Sequence, residues 1–246
     1  MIIANWKSNT IDLNRWHINF NNFYKSMSDS AMIGVAPPII YLDKLVSNLG
    51  KEDVEIKPGV QDVDHSYGSR TGAISVDMII ETGCKFAIIG HSERRDIFNE
   101  DNDLIKEKLK SLNKRVMAIL CIGETKEENE KGLTKDILKG QLEVVNKLEL
   151  DKEFTVAYEP VWAIGSGLTP EPKDINEIHK YIKDVVQSNS ANNLLPKILY
   201  GGSVTDKNAE SFFKEEFVDG ALVGGASLNG TTFAEIVNIF NKTKKL

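Results

Sequence analysis

Cysteine is scarce in this chain, which has Cys84 and Cys121 among its 246 residues. The two form no Cys-x-x-Cys pair, so a disulfide framework or a structural zinc site is not expected. Long apolar runs are also lacking, and no stretch approaches the ~20 residues that span a bilayer. The strand-like segment IIANWK follows Met1 directly, without the basic and apolar regions of a signal peptide, so we expect a cytoplasmic protein.

The chain also lacks an excess of basic charge. It has 30 lysine and arginine residues against 36 aspartate and glutamate residues, a formal net charge of −6, and no basic stretch. This balance argues against nucleic acid and against an anionic membrane surface as partners. An anionic ligand would therefore have to be held by local backbone geometry, because the overall charge does not attract it.

The sequence does contain a regular alternation of short β-rich apolar runs and longer charged stretches with helical apolar spacing. The strand candidates are IIANW (2–6), MIGVAP (32–37), VEIKPGVQ (54–61), FAIIG (86–90), VMAILCIG (116–123), FTVAYE (154–159), KILYGG (197–202) and DGALVGG (219–225). Strands that are apolar on both faces suit a parallel sheet covered by helices.

Eight such units of roughly thirty residues, with no linker between them, predict one α/β domain over residues 1–246. The expected fold is a (β/α)8 barrel, in which eight parallel strands lie inside an outer ring of helices. A doubly wound open sheet is the alternative. It would show a glycine-rich fingerprint after the first strand, where this chain has NWKSNT.

Polar and glycine-rich segments follow the strand candidates, at the ends where such a barrel carries its chemistry. They are Asn5 with Lys7, the Gly68–Gly72 loop, GHSERR (90–95), CIGE (121–124), AYEPVWAIGSG (157–167), YGGS (200–203) and GGAS (224–227). We expect these segments to meet on one face of the barrel.

Glu159 ends the sixth strand candidate and precedes Pro160, which favours an extended backbone at Glu159. A solvated acid at a strand end is one interpretation. The other uses the uncharged segment 161–164, which would fold over the carboxylate as an apolar lid. Exclusion of water would then make Glu159 a stronger base toward a carbon acid. Proton abstraction next to a carbonyl requires such a base.

Two further side chains would complement this base. His91 precedes a helix expected to begin near Ser92, and a helix N-terminus disfavours positive charge, so the imidazole should be neutral and able to donate to an enolate. Lys7, which we expect to pair with Glu93, would supply positive charge to an oxyanion. A structural histidine and a solvated lysine are the alternatives.

Phosphate capture is the chemistry that the glycine-rich loops favour. Gly165, Ser203 and the pair Gly224 and Gly225 offer unhindered backbone N–H groups, which bind a phosphate dianion without net positive charge. The loops after the last two strands are the usual phosphate site of these barrels. Each glycine alone also fits a plain turn.

The motifs ANWK, GHSERR, CIGE, AYEPVWAIGSG, YGGSV and GALVGGASL, in this order, resemble the triosephosphate isomerase family from end to end. The resemblance implies a TIM barrel that interconverts dihydroxyacetone phosphate and D-glyceraldehyde 3-phosphate through an enediol(ate), without a metal or organic cofactor. It implies Glu159 as the base, His91 as the neutral electrophile, and Asn5 and Lys7 as partners of the substrate oxygens.

The same resemblance assigns the lid and its contacts. Residues 160–170 would close over the substrate, and the Gly165 N–H would grip its phosphate. Tyr200 and Ser203 would latch the closed lid.

The resemblance further implies a homodimer whose arm is the loop 62–73, with Thr71 supporting the catalytic residues of the neighbouring subunit. The chain departs from the family pattern there, because Asp62 replaces an asparagine and Ala73 replaces an acid. That acid normally pairs with the arginine that Arg94 matches, so we expect Arg94 to lack its usual partner.

Two other functions stay open at this point. A barrel retained only for binding or adhesion would not need the full set of polar residues. Another sugar-phosphate isomerase or epimerase would use the same barrel with larger substrates.

Overall fold

A computed structural model of the chain describes residues 1–25, 31–49, 55–112, 114–164 and 169–245. Within these ranges, eight parallel strands form a closed barrel in sequence order. They are β1 (Ile2–Asn5), β2 (Ile33–Ala36), β3 (Ile56–Val60), β4 (Phe86–Ile89), β5 (Met117–Ile122), β6 (Thr155–Tyr158), β7 (Lys197–Tyr200) and β8 (Gly220–Val223). The predicted barrel is confirmed. The open sheet is wrong, because β8 pairs with β1, with Ile2 opposite Ala221.

Helices connect the strands on the outside of the barrel. In the described parts of the chain they are α1 (Leu13–Phe23), α2 (Leu42–Leu49), α3 (Val76–Glu81), α4 (Ser92–Ile97), α5 (Asn102–Leu112), α6 (Lys126–Glu130), α7 (Thr134–Leu142), α8 (Pro172–Asn189), α9 (Ala209–Phe213) and α10 (Gly230–Lys244). Short 3-10 helices span Ile39–Tyr41, Glu143–Val145, Val161–Ala163 and Gly225–Leu228. None of these helices is long and apolar enough to cross a membrane, in the ranges that the structure covers.

Helix α1 illustrates how the sequence specifies these elements. Asp12 caps its start, because the side chain accepts backbone N–H bonds from the first turn. Leu13, Trp16 and Phe20 recur at helical spacing and form the buried face.

Strand side chains alternate between the barrel interior and the layer beneath the helices. Ile3 and Phe86 belong to the interior cluster, whereas Ile2 belongs to the outer one. The Phe86 ring occupies the space that a side chain at Gly34 or Gly59 would need. The interior is therefore a packed core and not a channel.

A group of four charged side chains lies at the start of the 62–73 loop. Arg94 Nε is 2.6 Å from Glu100 Oε1 and 3.0 Å from Asp62 Oδ2. The buried Lys108 Nζ is 2.5 Å from Glu100 Oε1 and 2.7 Å from Asp62 Oδ1. Arg94 therefore pairs with two carboxylates of its own chain, which stand in for the usual acid that Ala73 replaces.

Candidate active site

A cavity of about 390 Å³ opens at the carboxyl ends of the strands. The predicted site residues in its lining are Asn5, Lys7, His91, Glu159, Ser203, Gly224 and Gly225. Three of the other predicted residues are described by the structure and are not in the lining, and the fourth is not described. Glu93 contacts Lys7 beside the cavity, Tyr200 is buried, Thr71 is exposed on the 62–73 loop, and Gly165 lies outside the described residues.

Glu159 follows β6 directly and is 2% exposed. Its carboxylate accepts the Ser92 N–H at 3.1 Å through Oε2 and lies 3.0 Å from His91 Nε2 through Oε1. Burial raises the pKa of Glu159, as the sequence led us to expect, whereas the hydrogen bonds from His91 and the Ser92 N–H and the charge of Lys7 lower this pKa, and the net direction is downward. The increase in basicity expected when a lid excludes water stays a prediction.

Two glycines make room for Glu159. A Cβ at Gly201 would lie 2.7 Å from Glu159 Cγ, and a Cβ at Gly123 would overlap the Glu159 carbonyl. Both contacts are closer than side-chain carbons tolerate, so the residues that directly follow β5 and β7 have to be glycine. The motifs CIGE and YGGS contain these residues, but nothing in the sequence alone indicates their packing against Glu159.

His91 forms the N-cap of α4, which begins at Ser92 as expected. Its Nδ1 accepts the Glu93 N–H at 3.2 Å, and an acceptor nitrogen carries no proton. The proton of the neutral ring is then on Nε2, which donates to Glu159. Burial lowers the pKa of His91, whereas the Glu159 carboxylate raises it and prevails. A raised pKa favours the charged ring, whereas the hydrogen bond from the Glu93 N–H requires an Nδ1 without a proton. We assign the neutral ring, because a proton on Nδ1 would point at the Glu93 N–H.

Lys7 has a left-handed backbone with a φ of 47°, which is uncommon for a residue other than glycine. Two hydrogen bonds hold it: its N–H donates to Asn5 Oδ1 at 3.0 Å, and Gln61 Nε2 donates to its carbonyl at 2.9 Å. Its ammonium lies 2.6 Å from Glu93 Oε1, which is the expected pair. The amide of Asn5 and the charge of Lys7 are thereby fixed at one wall of the cavity.

Comparison with known proteins identifies the family. The family model described as triosephosphate isomerase matches residues 1–240. The chain belongs to the triosephosphate isomerase family. The triosephosphate isomerase of Baumannia cicadellinicola subsp. Homalodisca coagulata is 40% identical over 255 residues, which cover 100% of this chain and 98% of that protein. The triosephosphate isomerase of Aquifex aeolicus (strain VF5) is 39% identical over 98% of this chain and 99% of its own length.

In this member of the triosephosphate isomerase family, Glu124 holds the first part of the segment 160–170, which the sequence predicts to be a lid. The fully buried Glu124 carboxylate accepts a bond of 2.9 Å from Trp162 Nε1 and one of 3.1 Å from the Tyr158 hydroxyl. On the other side, the Ser203 hydroxyl donates to the Ala163 carbonyl at 2.7 Å. Residues 165–168 of this segment, including Gly165, lie outside the described part of the chain.

The loops after the last two strands provide the other wall. Gly224 precedes the short helix Gly225–Leu228, whose first backbone N–H groups have no acceptor within the helix. Ser227 Oγ donates to the Gly224 carbonyl at 2.7 Å and fixes this turn. Tyr200 stacks on Phe212 with ring centroids 4.3 Å apart, and its buried hydroxyl has no hydrogen-bond partner in the described ranges.

Sequence reasoning missed three residues of this site besides the two glycines. Ser92 contributes a backbone N–H and so leaves no signal in its side chain. Glu124 could have been inferred from the sequence, because an acid just after an apolar strand needs hydrogen-bond partners when it is buried. Asn9 lines the cavity without a motif that distinguishes it.

Proposed function

We propose that the chain interconverts dihydroxyacetone phosphate and D-glyceraldehyde 3-phosphate, the reaction of the family to which it belongs. The observation that carries this proposal is the buried pair of Glu159 and His91, 3.0 Å apart in the cavity that Lys7 and Asn5 also line. A carboxylate and a neutral N–H donor are the two groups that movement of a proton beside a carbonyl needs.

Glu159 is the base in this mechanism. Its lowered pKa keeps the carboxylate ionised at neutral pH, but its two donors, Ser92 N–H and His91 Nε2, reduce its basicity. Substrate binding therefore has to take the carboxylate away from these donors. Glu159 then removes a proton from one carbon of the triose and returns it to the neighbouring carbon.

The other groups stabilise the enediolate. His91 donates its Nε2–H to a substrate oxygen in place of Glu159. The Lys7 ammonium and the Asn5 amide offset the negative charge that develops on the oxygens. The partly exposed Glu93 carboxylate holds Lys7 in place at 2.6 Å.

Phosphate is held at the opposite wall. Gly224, Gly225 and Ser203 line the cavity there, and their backbone N–H groups suit an anion in a chain with a net charge of −6. Gly165 adds a donor from the lid. Ser203, which contacts Ala163 of the lid, and Tyr200, whose hydroxyl is unpaired in the described ranges, hold the lid over the phosphate.

The chain acts as a homodimer in this proposal. The 62–73 loop carries an exposed Thr71 and an 82% exposed Tyr67, a large side chain that a partner would cover. Sedimentation at micromolar concentration should give about twice the chain mass of 27.4 kDa. A single species at the chain mass would contradict the dimer. The cytoplasmic location stays a prediction.

Replacing Glu159 by alanine tests the reaction. We expect kcat for D-glyceraldehyde 3-phosphate to fall by about 10²- to 10⁴-fold, the range for loss of a general base. Binding of glycerol 3-phosphate, an unreactive phosphate-bearing analogue, should persist by calorimetry. Glu153→Ala, which removes an exposed acid just before β6, is the matched control and should leave kcat unchanged. Normal turnover by Glu159→Ala would refute its role, and faster turnover of pentose phosphates by the parent would indicate a different isomerase.

A further inference from the structure

Arg95 of α4 contacts the carboxyl ends of both β4 and β5. Its guanidinium donates in three directions. Nε donates to the Gly90 carbonyl at 2.9 Å, Nη1 to Asn102 Oδ1 at 2.9 Å, and Nη2 to the Cys121 carbonyl at 3.3 Å. One side chain therefore joins two strand ends and the start of α5.

The first of these contacts fixes the residue just before His91. Gly90 has a left-handed φ of 69°, and this turn directs the chain from β4 into α4. A Cβ at Gly90 would lie 3.2 Å from Arg95 Nη2 and 3.0 Å from Ile105 Cδ1, so the turn is packed tightly against the guanidinium. The carbonyl that Arg95 holds belongs to the peptide bond that leads into His91.

The contact with the Cys121 carbonyl reaches the support of Glu159. Cys121 is buried in β5, and the next residue, Ile122, accepts the Glu159 N–H through its carbonyl at 2.7 Å. Arg95 thus donates to the Gly90 carbonyl, directly before His91, and to the Cys121 carbonyl, one residue before the Ile122 carbonyl that accepts the Glu159 N–H. The relative position of the two strand ends determines where the two catalytic candidates meet.

We propose that Arg95 is a positioning residue, which sets the distance between His91 and Glu159 by holding the carbonyls of Gly90 and Cys121. The inference rests on the proposed function, since it gives that pair its catalytic role. The rigid planar fork of arginine suits three acceptors in different directions, whereas a lysine ammonium is a compact point charge on a flexible stem. Charge alone therefore does not replace Arg95.

The test compares Arg95→Lys and Arg95→Met with Arg115→Lys, a control at an exposed arginine that pairs with Asp77 at 2.7 Å. A displacement of about 1 Å costs on the order of 100-fold in rate, so kcat should fall about 10- to 100-fold in both Arg95 variants, with KM little changed. The His91 imidazole signals in nitrogen-15 NMR spectra should shift in both Arg95 variants and stay in place in the control.

Unchanged kcat and unchanged His91 signals would overturn the proposal. A lower unfolding temperature with normal kcat per folded molecule would also overturn it, because Arg95 would then only stabilise the fold. If Arg95→Met does not fold, Asn102→Ala takes its place, since it removes one contact of the guanidinium and should shift the same His91 signals. An inactive parent protein would refute the proposed function, whereas the NMR comparison would still test Arg95.

Discussion

Replacing Gly201 by alanine should displace the Glu159 side chain while leaving its carboxylate chemically intact. The added Cβ would lie 2.7 Å from Glu159 Cγ and 3.1 Å from the Tyr158 carbonyl oxygen, and ordinary contacts of a Cβ begin at 3.4 Å. The Glu159 stem must therefore move by at least the difference of 0.7 Å. The backbone at Tyr158 has less freedom to move, because it belongs to β6 of the closed barrel.

A shift of this size is large for a reacting group. Misplacement by about 1 Å costs on the order of 100-fold in rate, so kcat for D-glyceraldehyde 3-phosphate should fall about 10- to 100-fold. Overpacking should also lower the free energy of unfolding by about 1 to 3 kcal/mol. A coupled assay of isomerase activity and urea unfolding measure the two effects separately.

Gly140→Ala is the matched control. Gly140 lies in α7, and a Cβ there would meet no heavy atom within 4 Å. This variant should keep its full kcat and gain about 0.5 to 1 kcal/mol, because alanine favours the helix. Full activity of Gly201→Ala would refute the idea that the glycine positions the base.

Two further predictions concern buried charge. Lys108→Met should lower the free energy of unfolding by about 3 to 5 kcal/mol, because among the described residues the Asp62 and Glu100 carboxylates would then share Arg94 as their one cationic partner. In urea unfolding, the double variant Lys108→Met/Asp62→Asn should regain part of this loss, and no regain would contradict the pairing. Burial lowers the pKa of His179 from 6.5 to about 4, so the unfolded chain binds a proton that the folded chain excludes. The free energy of unfolding should therefore fall by about 3 kcal/mol as the pH drops from 6.5 toward 4. A constant difference in this free energy between His179→Phe and the parent across the same range would refute the prediction.

The barrel was predictable because its strands are apolar on both faces. Each strand candidate contains the observed strand, and several extend past its carboxyl end into the residues of the site. The run FTVAYE, for example, includes Glu159, which follows β6. The start of α4 was also predictable, since the chain turns at Gly90 and the helix begins at Ser92.

Side-chain partners across the barrel were not predictable, because they depend on strand register. The glycines Gly123 and Gly201 indicate turns in the sequence, and their fit around Glu159 requires the alignment of β5, β6 and β7. Likewise, Arg94 pairs with Glu100 six residues later and with Asp62 from a different strand end. The residues around Arg94 in the sequence do not indicate whether its partner is Glu100, Asp62 or an acid of another subunit.

The pairing of β8 with β1 has a consequence for synthesis on the ribosome. The free edge of β1 stays unpaired until β8, residues 220–223, has left the ribosome. Every shorter nascent chain presents unpaired backbone groups at both edges of an incomplete sheet, which is the condition that invites association with other chains. Because the two paired strands lie far apart in the sequence, closure of the barrel is also a late and slow event in folding.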